Sequence, residues 1–205
     1  MRRAASAISG AAVLALAVGG CAGDGAVAPL PGPPAPTGTP EPSADAGADV
    51  PALALPADVS LVVEPPAAVP DGAAAAVRDW QLGQRAFVAA AARADPRFGP
   101  LGRYQAQDAL LASVRTLRLK RERNRTVVGV RRIYAVAVGP VGADRAAMSW
   151  CVDDSRFFSR DRATGRAVVR HGPSDYYRFD GSLVRDARLG GWVLVRATGQ
   201  EGVQC

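Results

Sequence analysis

The chain has 205 residues, 48% of them hydrophobic, 21% charged and 6% aromatic, which allows one domain, or one domain plus a tail. Three cysteines and one histidine exclude a disulfide-dense scaffold and any histidine-rich metal site. The formal net charge is +6 but unevenly spread: Cys21 to Pro70 holds six acids and no Lys or Arg, whereas 71–205 holds 23 basic and 13 acidic residues.

Residues 1–20 read as an export signal. Arg2 and Arg3 form its positive start, and the run from Ala11 to Val18 forms an apolar centre too short for a permanent membrane span. The string Ala17-Val18-Gly19-Gly20-Cys21 resembles the bacterial lipobox, with Val18 where leucine is commonest. The resemblance implies a diacylglycerol on the Cys21 thiol, and two acyl chains give lasting attachment to a lipid bilayer. An ordinary signal peptide with an unrelated cysteine is the alternative.

With Cys21 set aside, Cys151 and Cys205 remain. In an exported protein an even pair reads as one disulfide. Residues 21–70 hold twelve of the sixteen prolines and no aromatic side chain. Such a segment buries too little surface to offset its ordering entropy and reads as a disordered, lipid-anchored tether. Val59–Val63 is a short β-branched run within it that could dock on the domain as an extra strand.

Within 71–205, residues 73–93 carry Val77, Trp80, Gln84, Phe87, Val88 and Ala91 on one helical face. Asp71 or Gly72 is the expected cap, and Trp80 and Phe87 are expected core anchors. Pro96 to Gly102 reads as a turn-rich link. A second helix is predicted over 106–122, with Leu110, Val114 and Leu117 inward. The period then changes to strands over 126–138, 146–152, 155–159, 166–170, 175–186 and 192–198. Turns are expected at Asp161–Gly165, Gly172-Pro173, Asp180-Gly181 and Gly190-Gly191. Helices first and antiparallel strands after predict an α+β fold, with the helices packed in a strongly curved antiparallel sheet.

Long first helix, Asp95-Pro96-Arg97, Cys151-Val152-Asp153-Asp154-Ser155, Thr164-Gly165 and Gly191-Trp192-Val193-Leu194-Val195 before a last cysteine: in these the segment resembles small secreted or lipid-anchored actinobacterial proteins with a domain similar to nuclear transport factor 2. The resemblance implies a cone-shaped fold, often with an open pocket. Enzymes on that fold, of the ketosteroid isomerase and polyketide cyclase type, use a carboxylate as base and a phenol or histidine as donor. The corresponding candidates are Asp153, Asp154 and Asp175 with Tyr134, Tyr176, Tyr177 or His171. None stands at a fixed motif spacing. Asp153-Asp154-Ser155 reads equally as a turn, His171 as a solvated loop residue, and Tyr176-Tyr177 as one core and one exposed ring.

No phosphate-binding glycine loop, Ser/His/Asp arrangement or metal-ligand spacing is present, so no cofactor or metal is expected. A basic cluster remains: Arg115, Arg118, Lys120, Arg121, Arg123, Arg125, Arg131 and Arg132. On a helix Arg118, Arg121 and Arg125 would share a face and bind an anion. Outside a membrane that anion is a lipid headgroup, a wall polymer or an acidic envelope protein rather than nucleic acid. The same charges also suit a solvated face. The sequence thus predicts an envelope lipoprotein on the extracytoplasmic side. It is read as a non-catalytic binding or interaction module, with a pocket enzyme of the isomerase/cyclase type as the alternative.

Overall fold

The computed structural model describes residues 50–205. The expected export signal, Cys21 and the tether up to residue 49 lie outside the described residues. A six-stranded sheet is built from β1 (Val59–Val63), β2 (Arg125–Val141), β3 (Arg145–Asp161), β4 (Ala167–Val168), β5 (Tyr176–Asp186) and β6 (Gly191–Glu201). Its order is β1-β2-β3-β5-β6, with β4 added at the far end of β3. Helices α1 (Ala74–Arg93), α2 (Gly99–Tyr104) and α3 (Gln107–Glu122) precede β2. No helix among the described residues is long and apolar enough to cross a membrane.

The fold is α+β as expected, but its sheet is mixed, because β1 runs parallel to β2 with Val59 opposite Gly129 and Val63 opposite Ile133. The boundary at residue 70 is therefore corrected. Leu53, Val59 and Leu61 are buried in the core. From α1, Arg85 Nε donates to the Leu53 carbonyl and Arg93 Nη2 to that of Ala54, both at 3.0 Å. Two tether acids close ion pairs at the ends of β1, Asp58 with Arg160 and Glu64 with Arg132. The docking of Val59–Val63 as a strand is as expected; Leu53 and the four polar ties have no counterpart in the sequence pattern.

Helix α1 matches its apolar stripe, with Trp80 fully buried against Trp150, edge to face at 5.3 Å. Its cap is neither Asp71 nor Gly72: Ala73 stands there without a side-chain bond. Of the predicted inner stripe of α3, Leu117 is buried while Leu110 and Val114 are only half-buried; Ala109 joins Leu117 in the core. The second half of the expected link over 96–102 is the start of α2, with Pro100 in its first turn, where a missing amide hydrogen costs nothing.

Three register shifts between β2 and β3 bend the sheet. One explains Asp153-Asp154-Ser155, which is no turn. Between the pairs Val130–Arg156 and Arg132–Asp153 the third strand carries one extra residue, and Asp153 Oδ1 accepts the Ser155 amide hydrogen at 2.9 Å within that bulge. The runs 146–152 and 155–159 are consequently one strand. Asp180-Gly181 is also strand; a Cβ on Gly181 would sit 2.7 Å from the Trp150 ring, so the glycine serves packing. Gly165 and Gly190 do turn the chain, with φ of +70° and +67°.

Cys151, buried on β3, is bonded to Cys205, with Cα atoms 6.4 Å apart. Closing a loop of that separation, 54 residues, removes unfolded-state entropy equivalent to about 4 kcal/mol at most.

Candidate functional site

β3 matches β2 in length on one side but outruns β4 and β5 on the other. Its ladder with β5 ends at Asp153–Tyr176 and its ladder with β4 begins only at Ser159–Val168. Residues 154–158 therefore have no strand on that side, and a cavity of about 440 Å³ opens against this gap. One wall is a face of α3 made by Ala109, Ala112, Ser113, Thr116 and Lys120, at the spacing of one helical stripe. The opposite wall is aromatic, with Phe87, Trp150, Phe157 and Phe179. Trp150 stacks on Phe179 at 5.4 Å, and Tyr177 follows at 5.9 Å. The ladder of rings thus runs from the core to the cavity.

Inside lies one ion pair. Arg131 on β2 donates from Nε and Nη2 to both oxygens of Asp154 on the bulge of β3, at 2.9 and 2.7 Å. Their side chains are 14% and 15% exposed. The guanidinium also lies 5.4 Å from the ring centres of Phe87 and Phe157, a cation–π arrangement. Phe87, expected in the core, is thereby a wall of the cavity.

Burial pushes the Lys120 amine below its ordinary range, Arg131 adds to this, and Asp154 opposes it. Burial, followed by Glu201 and Asp154, pushes the Tyr177 phenol above its ordinary value, so it stays a hydrogen-bond donor at neutral pH. Gln105 is 4% exposed on the cavity wall, and its Oε1 has no hydrogen-bond partner.

Of the predicted acid–base candidates, Asp154, Asp175 and Tyr177 line the cavity. Asp175 Oδ2 accepts the Gly172 amide hydrogen at 3.0 Å and lies 3.5 Å from Nδ1 of His171, which is exposed. Asp153, Tyr134, Tyr176 and His171 do not line it. Tyr134 instead sits under Arg132, 4.6 Å from ring centre to guanidinium, and its hydroxyl meets the Cys205 amide at 3.4 Å. Tyr176 and Tyr177 are both half-buried, so neither is a core ring.

The expected face of Arg118, Arg121 and Arg125 does not form. The helix stops at Glu122, Asn124 takes φ of +51°, and Arg125 begins β2. Arg118 and Arg121 stay exposed on α3, while Arg125 joins the rim of the cavity. Trp150, Phe157, Gln84 and Gln105 were missed as lining residues. Asp154, Asp175 and Tyr177 are among the expected acid–base candidates and Lys120 and Arg131 among the basic cluster, but nothing in the sequence pairs Arg131 with Asp154. No group of three or more metal-ligating side chains occurs among the described residues.

No family model matches the chain, and no curated protein matches it. Among solved structures it is similar to the intermembrane-space region of the chloroplast protein ARC6, at 13% identity and a TM-score of 0.46, over 64% of this chain and 98% of that one. It is also similar to a ketosteroid isomerase-like protein from Erwinia carotovora atroseptica, at 17% identity and a TM-score of 0.38, over 58% and 90% of the two chains.

Proposed function

We propose that this chain is a binding module held outside the cytoplasmic membrane by an acylated Cys21, with a domain similar to nuclear transport factor 2 whose cavity receives a small ligand. The observation that carries this reading is the bidentate Arg131–Asp154 pair inside an open cavity. A general base needs a carboxylate free to take a proton from substrate. Here both Asp154 oxygens accept from a guanidinium that two rings hold in place. Cavities of this size and apolar lining are the usual form of small-molecule sites.

Asp175 and Tyr177 on the same cavity wall favour a second reading, an isomerase or cyclase with Asp175 as base and Tyr177 as donor. The bond from the Gly172 amide to Asp175 weighs against it.

The binding reading is tested with the neutral, environment-sensitive dye Nile red. Wild-type chain should take it up with a rise in emission, and Ser113→Trp, which fills the cavity from α3, should not. Uptake unchanged in Ser113→Trp overturns the reading. Attachment is tested separately: labelled palmitate should enter wild type and not Cys21→Ser in a bacterial host, and equal labelling of both refutes the anchor.

A further inference from the structure

The cavity and the basic cluster meet at the C-terminal end of α3. Lys120 belongs both to the cavity wall and to its rim, where Arg123, Arg125 and Arg170 join it. Against these four cations the rim carries one carboxylate, Asp175, already bonded to the Gly172 amide. Among the described residues none of the four is in an ion pair. Arg125 stands across the ladder from Asp161, whose carboxyl is held down chiefly by the Thr164 amide and hydroxyl.

Favourable interaction with the helix dipole accounts for Lys120 at the end of α3. It does not account for Arg125, which begins β2, or Arg170, which follows β4. Cations from three separate elements converge on one opening, at a cost in mutual repulsion, and raise the local concentration of anions there.

Behind the rim the cavity is aromatic, and its internal charge is cancelled by the Arg131–Asp154 pair. From Lys120 back to Ala109 the wall follows α3 for about 16 Å, at 1.5 Å per residue. Gln105 lies just before that helix, at the end remote from the rim, with a buried amide oxygen that lacks a donor. A buried acceptor without a partner is costly, and a ligand hydroxyl or amide would relieve it.

We infer that the cavity holds an elongated amphiphile, its acidic group at the rim among Lys120, Arg123, Arg125 and Arg170, its apolar body along α3, and a hydrogen-bond donor against Gln105. The inference rests on the binding reading above and names the ligand class. The acidic group is a carboxylate or a phosphate monoester, as in fatty acids or lipid phosphates respectively.

The test displaces Nile red from the full chain carrying Cys21→Ser, using dodecanoate, dodecyl phosphate, dodecanol and 12-hydroxydodecanoate as competitors. One or both acids should bind at least about fivefold more tightly than dodecanol, as expected for contact with several exposed cations. The tighter of the two identifies the source. Arg123→Gln combined with Arg170→Gln, both on the surface, should remove most of that preference and leave dodecanol binding unchanged. Raising salt from about 0.05 to about 0.5 M should weaken acid binding in the same way. The hydroxylated acid should bind about threefold more tightly than dodecanoate, and equal binding overturns the Gln105 assignment. Dodecanol binding as tightly as both acids, or an acid preference indifferent to the double substitution, overturns the inference while Nile red uptake still stands. Failure of the dye to enter wild type overturns both.

Discussion

Asp79 on α1 accepts the amide hydrogen of Trp192 at 2.8 Å through Oδ2, joining the first long helix to the last strand across 113 residues of sequence. Its other oxygen accepts from Arg78, and the carboxylate is buried. The fit is close: a Cβ on Gly191 would stand 2.8 Å from the same oxygen. Asp79→Ala leaves a buried amide hydrogen without an acceptor, which costs about 2–3 kcal/mol. Urea unfolding should show that loss, while Asp71→Ala, on the exposed approach to the helix, should stay within about 0.5 kcal/mol.

Gly129 separates two causes of glycine dependence. It lies at φ +101°, and a Cβ there would meet the Arg156 carbonyl oxygen at 2.0 Å. Gly165, at φ +70°, has nothing within 4 Å of the corresponding position. Gly165→Ala should therefore cost only the left-handed penalty, about 1–2 kcal/mol. Gly129→Ala adds a backbone clash in the ladder that joins β1, β2 and β3, and should cost about 4 kcal/mol or prevent accumulation of the folded chain. Thermal melts of the two variants are the comparison.

Where the folded unit begins is open to a truncation series. A chain starting at residue 50 should melt with the full-length domain. Starting at residue 71 removes Leu53, Val59 and Leu61 from the core and leaves Arg85 without its Leu53 carbonyl. At about 1.5–3 kcal/mol per buried side chain, the loss is about 5 kcal/mol, and differential scanning calorimetry should show a much lower melting temperature. Equal melting of both chains would return the boundary to residue 70.

Lys120 gives a pH dependence of definite sign. Its folded pKa is below the ordinary 10.5, mainly through burial, so the unfolded chain holds the proton more tightly. The charged amine opposes folding below its folded pKa, and that opposition fades as pH rises from there toward 10.5. Lys120→Met should accordingly gain stability over wild type at neutral pH, with the gain shrinking as pH approaches 10. Urea midpoints at each pH measure it, and a gain that grows with pH contradicts the burial argument.

Helical stripes are strong signals, and α1 and α3 were legible through Val77, Trp80, Val88 and Leu117, as were β2 and β6 through their alternation. The misses share a cause. Asp153-Asp154-Ser155 and Asp180-Gly181 carry turn chemistry, yet the first is a bulge and the second lets the Trp150 ring lie against the strand; neither reason exists before the sheet is assembled. Val59–Val63 was legible as a strand but not as a parallel partner of β2, since its neighbour lies some 70 residues onward. In the site, Asp154, Asp175 and Tyr177 could be named from residue type alone. Their separate fates could not, because the Arg131 guanidinium, the Gly172 amide and the unpartnered Gln105 oxygen come from elements that only tertiary packing brings together.

The interval of β3 that neither β4 nor β5 covers has an engineering consequence. The stretch from Arg162 to Ser174 spans the missing strand, so its length sets the aperture. Reshaping it until β4 and β5 ran end to end along β3 would seal the entrance with backbone ladder. Lengthening it would widen the doorway. Either change leaves Trp80, Leu117 and Ile133 untouched in their packing, which makes this segment the place where selectivity can drift while the scaffold stays the same.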